Sequence, residues 1–310
     1  MDTEIFEAGT ARGREARRFH GAASSREKVV RYYDEAGPDY SAWTRDGHMH
    51  FGWWAWGISP LDREAMLRRM TEETLARLAI DPSSSAHLLD LGCGVGASAR
   101  FAAERHPTLR VTGLTLVESQ VERGRAANRA AGLDGRVRLL GRDFTASGLA
   151  STAYDGAWAL ESACHDDGEA KAGFAAEAAR LLRPGARLVV TDGFLKGDRP
   201  LGGLLRFCHD HLCRGWALPC FARLGPFTAA LEAAGFTDVE VEDVSWRVAP
   251  SAAHIPWVTL RFLAGRFAAG DLRMTRRRWA HVTSCVVAPI LGAARRRFGY
   301  CVVTARRSGR

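Results

Sequence analysis

The sequence predicts an α/β fold in which helices cover both faces of a parallel sheet. Three observations predict it. Short apolar runs recur at strand length: HLLDLG, RVTGLTL, RVRLLG, YDGAWALE and ARLVVTDG. Helix-like segments over 97–105, 118–131 and 168–183 separate them. The first run breaks into glycines at Gly92, Gly94 and Gly96 before a small-residue helix start. Apolarity is near-continuous within these runs, as strands buried on both faces require.

In chain order, residues 1–23 lack apolar periodicity and read as a mobile segment. Ser24 or Ser25 can then cap a helix carrying Val29, Val30, Tyr32 and Tyr33 that ends near Gly37-Pro38. A second helix is expected from about Leu61 to Ala79, burying Met66, Met70, Leu75 and Leu78. These two helices make an N-terminal cap over 24–80, and the alternating core follows over 86–195. A stretch near 200–222, rich in Phe, Cys, His and Trp, interrupts the rhythm. Beyond it come a helix at about 226–234, the strand TDVEVEDV, helices near 252–268 and 275–293, and a last strand GYCVVTA. No internal repeat or clear linker divides residues 24–310, so one domain with an inserted lid is expected.

A chain of 310 residues can bury a sizeable core. Its net charge of +8 is carried by arginine, with Lys28, Lys171 and Lys196 the only lysines. The clusters Arg276 to Arg278 and Arg295 to Arg297 read as solvated helix faces, with phosphate or anionic lipid as the alternative. No basic stripe with interleaved aromatics marks a nucleic-acid partner. Seven cysteines without a CxxC pair, behind a polar N-terminus, suggest reduced thiols in a cytoplasmic protein. The apolar stretch Val282 to Ala294 is too short to span a bilayer and reads as a buried helix. Cys208, His209, His211 and Cys213 match no usual zinc spacing, so no metal is expected and the segment reads as a lid or substrate wall.

After a strand, glycines let the backbone turn sharply and approach a ligand, and the helix N-terminus offers free N–H groups to an anionic moiety. The spacing is GxGxG, with Asp90 just before the first glycine. Downstream stand TLxxxQxERGRxxNxxAGL (115–133), GRDF, WALESACHDD and ARLLRPGARLVVTDGF. In order and spacing these resemble the sterol and tocopherol C-methyltransferases and their bacterial natural-product relatives, over about residues 27–195. HMHFGWW also looks like the HMHxGY-type segment of the tocopherol group.

The resemblance implies a Rossmann-like class I methyltransferase using S-adenosylmethionine, with a seven-stranded, mostly parallel sheet and an antiparallel last strand. It implies that Asp90, Gly92 and Gly94 surround the methionine part of the cofactor. Thr115 and Leu116 would lie along ribose and adenine, Gln120 would bond the ribose hydroxyls, and Asp143 and Phe144 would meet the adenine. Tyr33, with Tyr32, would close the sulfonium side, where Glu161 is also expected. One departure stands out: no acid ends the second strand, and Glu118 comes two residues late, so the ribose is assigned to Gln120.

The family's chemistry frames HMHFGWWAWG (48–57), which carries three of the nine tryptophans. Methyl transfer needs a nucleophile held about 3 Å from the methyl carbon in a dry site. Attack by an alkene or ring carbon leaves a carbocation, which aromatic faces stabilise and from which a base removes a proton. Trp53, Trp54 and Trp56 are expected to wall the pocket with His48, although packing of the cap is the alternative. Glu161 and His165, four apart in ESACH, are the candidates for cation stabiliser and proton acceptor, and the reverse assignment stays open. His48 and His50 are secondary base candidates, with packing or hydrogen bonding as the alternative. The expected substrate is a small lipophilic isoprenoid, reached through transient contact with a membrane surface along the basic C-terminal helices. O- or N-methylation of a bacterial secondary metabolite is the second hypothesis, and a cofactor-binding partner protein without catalysis the third. The segments 196–225 and 250–294 are expected to cover the substrate.

Overall fold

The computed structural model describes residues 24–309 apart from Pro82 and Leu272. The segment 1–23, read above as mobile, lies outside the described residues. Chain entry is fixed by a capping box: Ser24 accepts from the Glu27 amide while Glu27 reaches back to the Ser24 amide, starting helix α1 (Ser25–Ala36). Pro38 then opens a 3-10 turn over Gly37–Ala42. Helix α2 (Arg63–Leu78) begins at the Asp62 cap and buries Met66, Leu67, Met70 and Leu78.

The core alternates as expected: β1 (His87–Leu91), α3 (Ala97–Arg105), β2 (Arg110–Thr115), α4 (Glu118–Ala130), β3 (Val137–Gly141), β4 (Tyr154–Leu160), α5 (Ala172–Leu181) and β5 (Leu182–Leu195). Then follow α6 (Gly203–Gly215), a two-residue β6 (Ala222–Arg223), α7 (Leu224–Ala233), β7 (Phe236–Asp243), α8 (Ser245–Ala252), α9 (Ile255–Ala268), α10 (Arg276–Ala293) and β8 (Phe298–Arg307). The seven-strand path is β3-β2-β1-β4-β5-β8-β7, and the short β6 pairs with β5 off this path. Strands β1 to β5 run parallel, and the last strand, β8, lies antiparallel between β5 and β7. The direction of winding reverses between β1 and β4, where open α/β sheets bind ligands outside the carboxyl ends of their strands.

Leu89, Leu91 and Val190 bury one sheet face with Phe174 of α5 and Phe227 of α7. Leu88, Val111 and Val189 bury the other with Met70 of α2, the alanines of α3, and Val248 of α8. Over the carboxyl edge, α6 and α10 form a separate layer around Cys208, Leu212, Leu218 and Leu291. These two helices cross closely because Gly215 has no side chain: a Cβ there would sit 1.9 Å from Ser284 Oγ. Helix α10 is not the buried helix its apolarity suggested, since Val286 and Ile290 face outward while Val282 and Leu291 face inward. No helix among the described residues is long and apolar enough to cross a membrane.

Candidate active site

At the winding reversal the end of β1 and the start of α4 enclose a cleft. Asp90, Gly92, Gly94, Thr115, Leu116, Gln120 and Phe144 all line it, with Tyr33, Glu161 and His165 on the cap side. Gly92 has φ +96°, and a Cβ there would fall 2.2 Å from the Ser162 Cβ, so glycine alone lets β1 turn beneath the loop after β4. Thr115 donates to Gln120 Oε1 (2.7 Å) and fixes that amide's orientation. Glu118 is exposed, whereas Gln120 is buried.

Asp90 is buried opposite Trp158 of β4. Its Oδ2 accepts no hydrogen bond from the described residues. Burial pushes its carboxyl up to about 8, with the nearby Trp158 indole partly offsetting the effect. Gly47, His48 and Met49 close the cleft from the cap. Asp143 does not line it: its carboxylate binds Thr145 (2.7 and 2.8 Å) and pairs with Arg26 of α1, which turns it outward.

Tyr33, Met49, Glu161 and His165 also line a second cavity of about 640 Å³. This chamber lies under α6, α8, α9 and α10, with Tyr32, Tyr40, Phe51, Trp216, Phe221, Trp246, Phe298 and Tyr300 contributing aromatic walls. A side pocket of about 130 Å³ beyond Tyr40 and Phe51 adds Phe262, His281 and Cys285.

Glu161 sits where the two cavities meet, in the left-handed conformation (φ 49°) that a non-glycine residue adopts only under constraint. Its Oε1 accepts from the Phe51 amide (2.6 Å) and from the Tyr300 hydroxyl (2.5 Å). Burial pushes the carboxyl up to about 8, against the lowering effect of those donors. His165 lies 3.2 Å from the Tyr33 hydroxyl, and burial lowers its imidazole to about 4, leaving it neutral at physiological pH. Lys171 holds the turn: its buried Nζ donates to the Cys164, Asp166 and Cys220 carbonyls at 3.0, 2.6 and 2.8 Å. Asp166 caps α5 through the Phe174 amide.

Residues 88–185 match a family described as Methyltransferase domain. The O-methyltransferase resE of Aspergillus sclerotiorum is 32% identical over 66% of this chain and 74% of its own length. The chain belongs to the S-adenosylmethionine-dependent methyltransferases. The 24-methylenesterol C-methyltransferase 2 of rice is 32% identical over 69% of this methyltransferase and 59% of the relative. The solved cyclase SpnF superposes with a TM-score of 0.75 at 24% identity, covering 93% of this chain and 98% of that one, which shows the class I fold. A cyclase on this scaffold is a reminder that fold does not set reaction. The cofactor of the family, S-adenosylmethionine, fits the cleft: an orphaned, buried carboxylate oxygen at Asp90 matches a cationic ammonium group, and glycines leave room for the backbone to approach it.

The expected tryptophan wall is overturned. Trp53 is 5% exposed and packs in the core beneath Arg77, with its amide on the Met66 carbonyl (2.8 Å). Trp54 donates its indole N–H to the Ile58 carbonyl, and Trp56 is 87% exposed. None of the three lines these cavities. His48 lines the cofactor cleft rather than the chamber, 3.3 Å from His50. Trp53→Ala should therefore cost about 3–5 kcal/mol in urea unfolding, whereas Trp56→Ala should change stability by under about 0.5 kcal/mol.

The buried carboxyls predict an unusual pH dependence. Asp90 and Glu161 titrate near 8 in the folded chain, above an ordinary carboxylate, so the folded state retains protons that the unfolded state has lost. Their contribution therefore weakens as pH rises to about 8. Buried neutral His48, His50, His165 and His281, at about 2 to 4, act oppositely, but only up to about pH 6.5 where an unfolded histidine titrates. Between about pH 6.5 and 8 the melting temperature of the ligand-free chain should fall. Scanning calorimetry checks this, and an Asp90→Asn/Glu161→Gln double variant should flatten the fall.

Proposed function

We propose that this methyltransferase transfers its methyl group to a carbon of a lipophilic isoprenoid-type molecule: a sterol, a prenyl chain or a prenylated ring. One observation carries the reading. An aromatic-walled chamber of about 640 Å³ shares Glu161, His165, Tyr33 and Met49 with the cofactor cleft, and its volume suits a ligand of drug size or larger. The name of the rice relative supports it, since that protein is a sterol C-methyltransferase.

When bound, S-adenosylmethionine supplies an electrophilic methyl group on a sulfonium. Asp90 pairs with the methionine ammonium, Gly92 and Gly94 admit the amino-acid end, and Thr115, Leu116, Gln120 and Phe144 take the ribose and adenine. Tyr33 closes the sulfonium side. The faces of Tyr32, Tyr33, Tyr40, Phe51 and Trp216 stabilise positive charge on the acceptor, each by about 0.5–2 kcal/mol when desolvated. Glu161 accepts the proton that the acceptor carbon loses, with Tyr300 and the Phe51 amide holding the carboxylate in place. A nearby sulfonium favours the ionised form of Glu161.

His165 at about 4 is poorly matched to a phenolic proton near pKa ~10 but adequate for the far more acidic proton of a carbocation. The name of the Aspergillus relative favours a second reading, O-methylation, in which Glu161 would be the base. Incubation with methyl-tritiated S-adenosylmethionine and a panel of sterols, prenyl diphosphates, prenylated quinols, small phenols and amines separates the classes. Label in the isoprenoids is expected. Label confined to small phenols or amines would reject the proposal.

A further inference from the structure

The chamber has a mouth, and its surroundings have the chemistry of a lipid-facing surface. Trp246, Ala249, Ala253, Pro256, Pro289 and Gly292 line the chamber and are also solvent-exposed, so it opens between α8, the start of α9 and the end of α10. Beside this opening α9 carries Trp257 (64% exposed), Leu260, Ala264 and Phe267 (72%) outward. Spacings of three, four and three put them on one helical face. A globular helix normally turns such a stripe inward; here the inward face is a second apolar set, including Ile255 and Val258. Val286 and Ile290 of α10 are exposed as well. The loop after HMHFGWW joins the same surface: the Trp54 amide bonds the Arg247 carbonyl of α8, and His254 bonds the Pro60 carbonyl. Trp56 and Leu61, both over four-fifths exposed, are carried on that loop.

Charge identifies the occupant. The span 244–298 holds arginine at ten positions and one acid, Asp271; Arg266, Arg277, Arg278 and Arg295 pair with Asp271, Glu35, Asp39 and Asp243, which leaves six arginines without an acidic partner among the described residues. Arg247, Arg261 and Arg296 are exposed around the apolar residues. A protein partner or a second copy of this chain would place these arginines opposite a matching acidic patch or opposite each other. Exposed tryptophans among arginines fit the interface of an anionic bilayer, where indoles sit at headgroup depth and each basic residue adds attraction.

We propose that the mouth of the chamber docks on anionic phospholipid through the outer face of α9 and the loop bearing Trp56, so that a lipophilic acceptor enters from the bilayer without crossing water. The motive for docking rests on the isoprenoid reading, but the surface itself does not. Vesicle binding needs no acceptor and no turnover, so failure of either is seen in its own assay.

The test is flotation of the full chain with vesicles of phosphatidylcholine and phosphatidylglycerol in equal parts, and with phosphatidylcholine alone. The wild-type chain is expected to float with the anionic vesicles and to be released by high salt. Trp257→Ser/Leu260→Ser/Phe267→Ser should lose about tenfold or more of that binding, and Arg261→Glu should weaken it. Both variants should keep the wild-type melting temperature and cofactor affinity, since the changed residues face solvent. Absence of wild-type binding to anionic vesicles would overturn the proposal, as would undiminished binding by the triple variant. A concentration-dependent dimer that the triple variant abolishes would also overturn it, by assigning the face to a second copy.

Discussion

Glu161→Gln is expected to lower methyl transfer by about 10²–10⁴-fold while leaving affinity for S-adenosylhomocysteine, which lacks the sulfonium charge, nearly unchanged. Glutamine keeps the size and can still accept from the Phe51 amide and the Tyr300 hydroxyl, so the junction between cleft and chamber should stay intact. What it loses is the ability to take a proton. The wild-type rate should rise with pH as Glu161 ionises and reach half its plateau near pH 8, or lower where the bound sulfonium favours the carboxylate. The glutamine variant should show no such rise. Tyr300→Phe is the companion: removing a donor to the carboxylate raises its pKa, so the profile should move to higher pH while the plateau rate survives. Stopped-time assays across pH, with calorimetric titration of S-adenosylhomocysteine, separate the two variants.

Asp90→Asn should weaken cofactor binding by about 10²–10⁴-fold, because removing one partner of a buried charge pair costs about 3–5 kcal/mol. The same variant should be more stable than wild type when ligand-free at pH 8, where Asp90 is otherwise half ionised with a buried oxygen that has no partner. A change that raises stability and destroys affinity is hard to explain by misfolding. S-Adenosylhomocysteine retains the amino group and should show the full loss. An analogue lacking that group should bind both forms alike.

The parts of the site legible in sequence are those that local backbone fixes. Asp90, Gly92 and Gly94 end a strand, and Thr115, Leu116 and Gln120 lie between the next strand and its helix, so strand order alone brings them to one cleft. Asp143 failed this logic, since Arg26 from the distant cap captures its carboxylate. The chamber was harder to read because its walls come from Phe51, Trp216, Trp246, Phe298 and Tyr300, which only tertiary packing assembles. The tryptophans near Gly52 drew attention by density, yet density does not report direction: the chain crosses α2 there, burying Trp53 and turning Trp56 out. Tyr300 left one faint signal. It stands in the last strand opposite Gly193, where the Phe298 ring packs so closely that a Cβ would fall 2.6 Å from it. Nothing in the spacing announced Lys171, whose three carbonyl partners come from two separate segments.

The most direct test of a carbon-methylating chamber is to locate the transferred methyl group. Carbon-13 methyl S-adenosylmethionine would be turned over with the best acceptor of the isoprenoid panel, and the product examined by NMR. A methyl bonded to carbon is expected, with one acceptor hydrogen lost to solvent and no such product from Glu161→Gln. A methyl on oxygen or nitrogen, or an unchanged yield from Glu161→Gln, would contradict it.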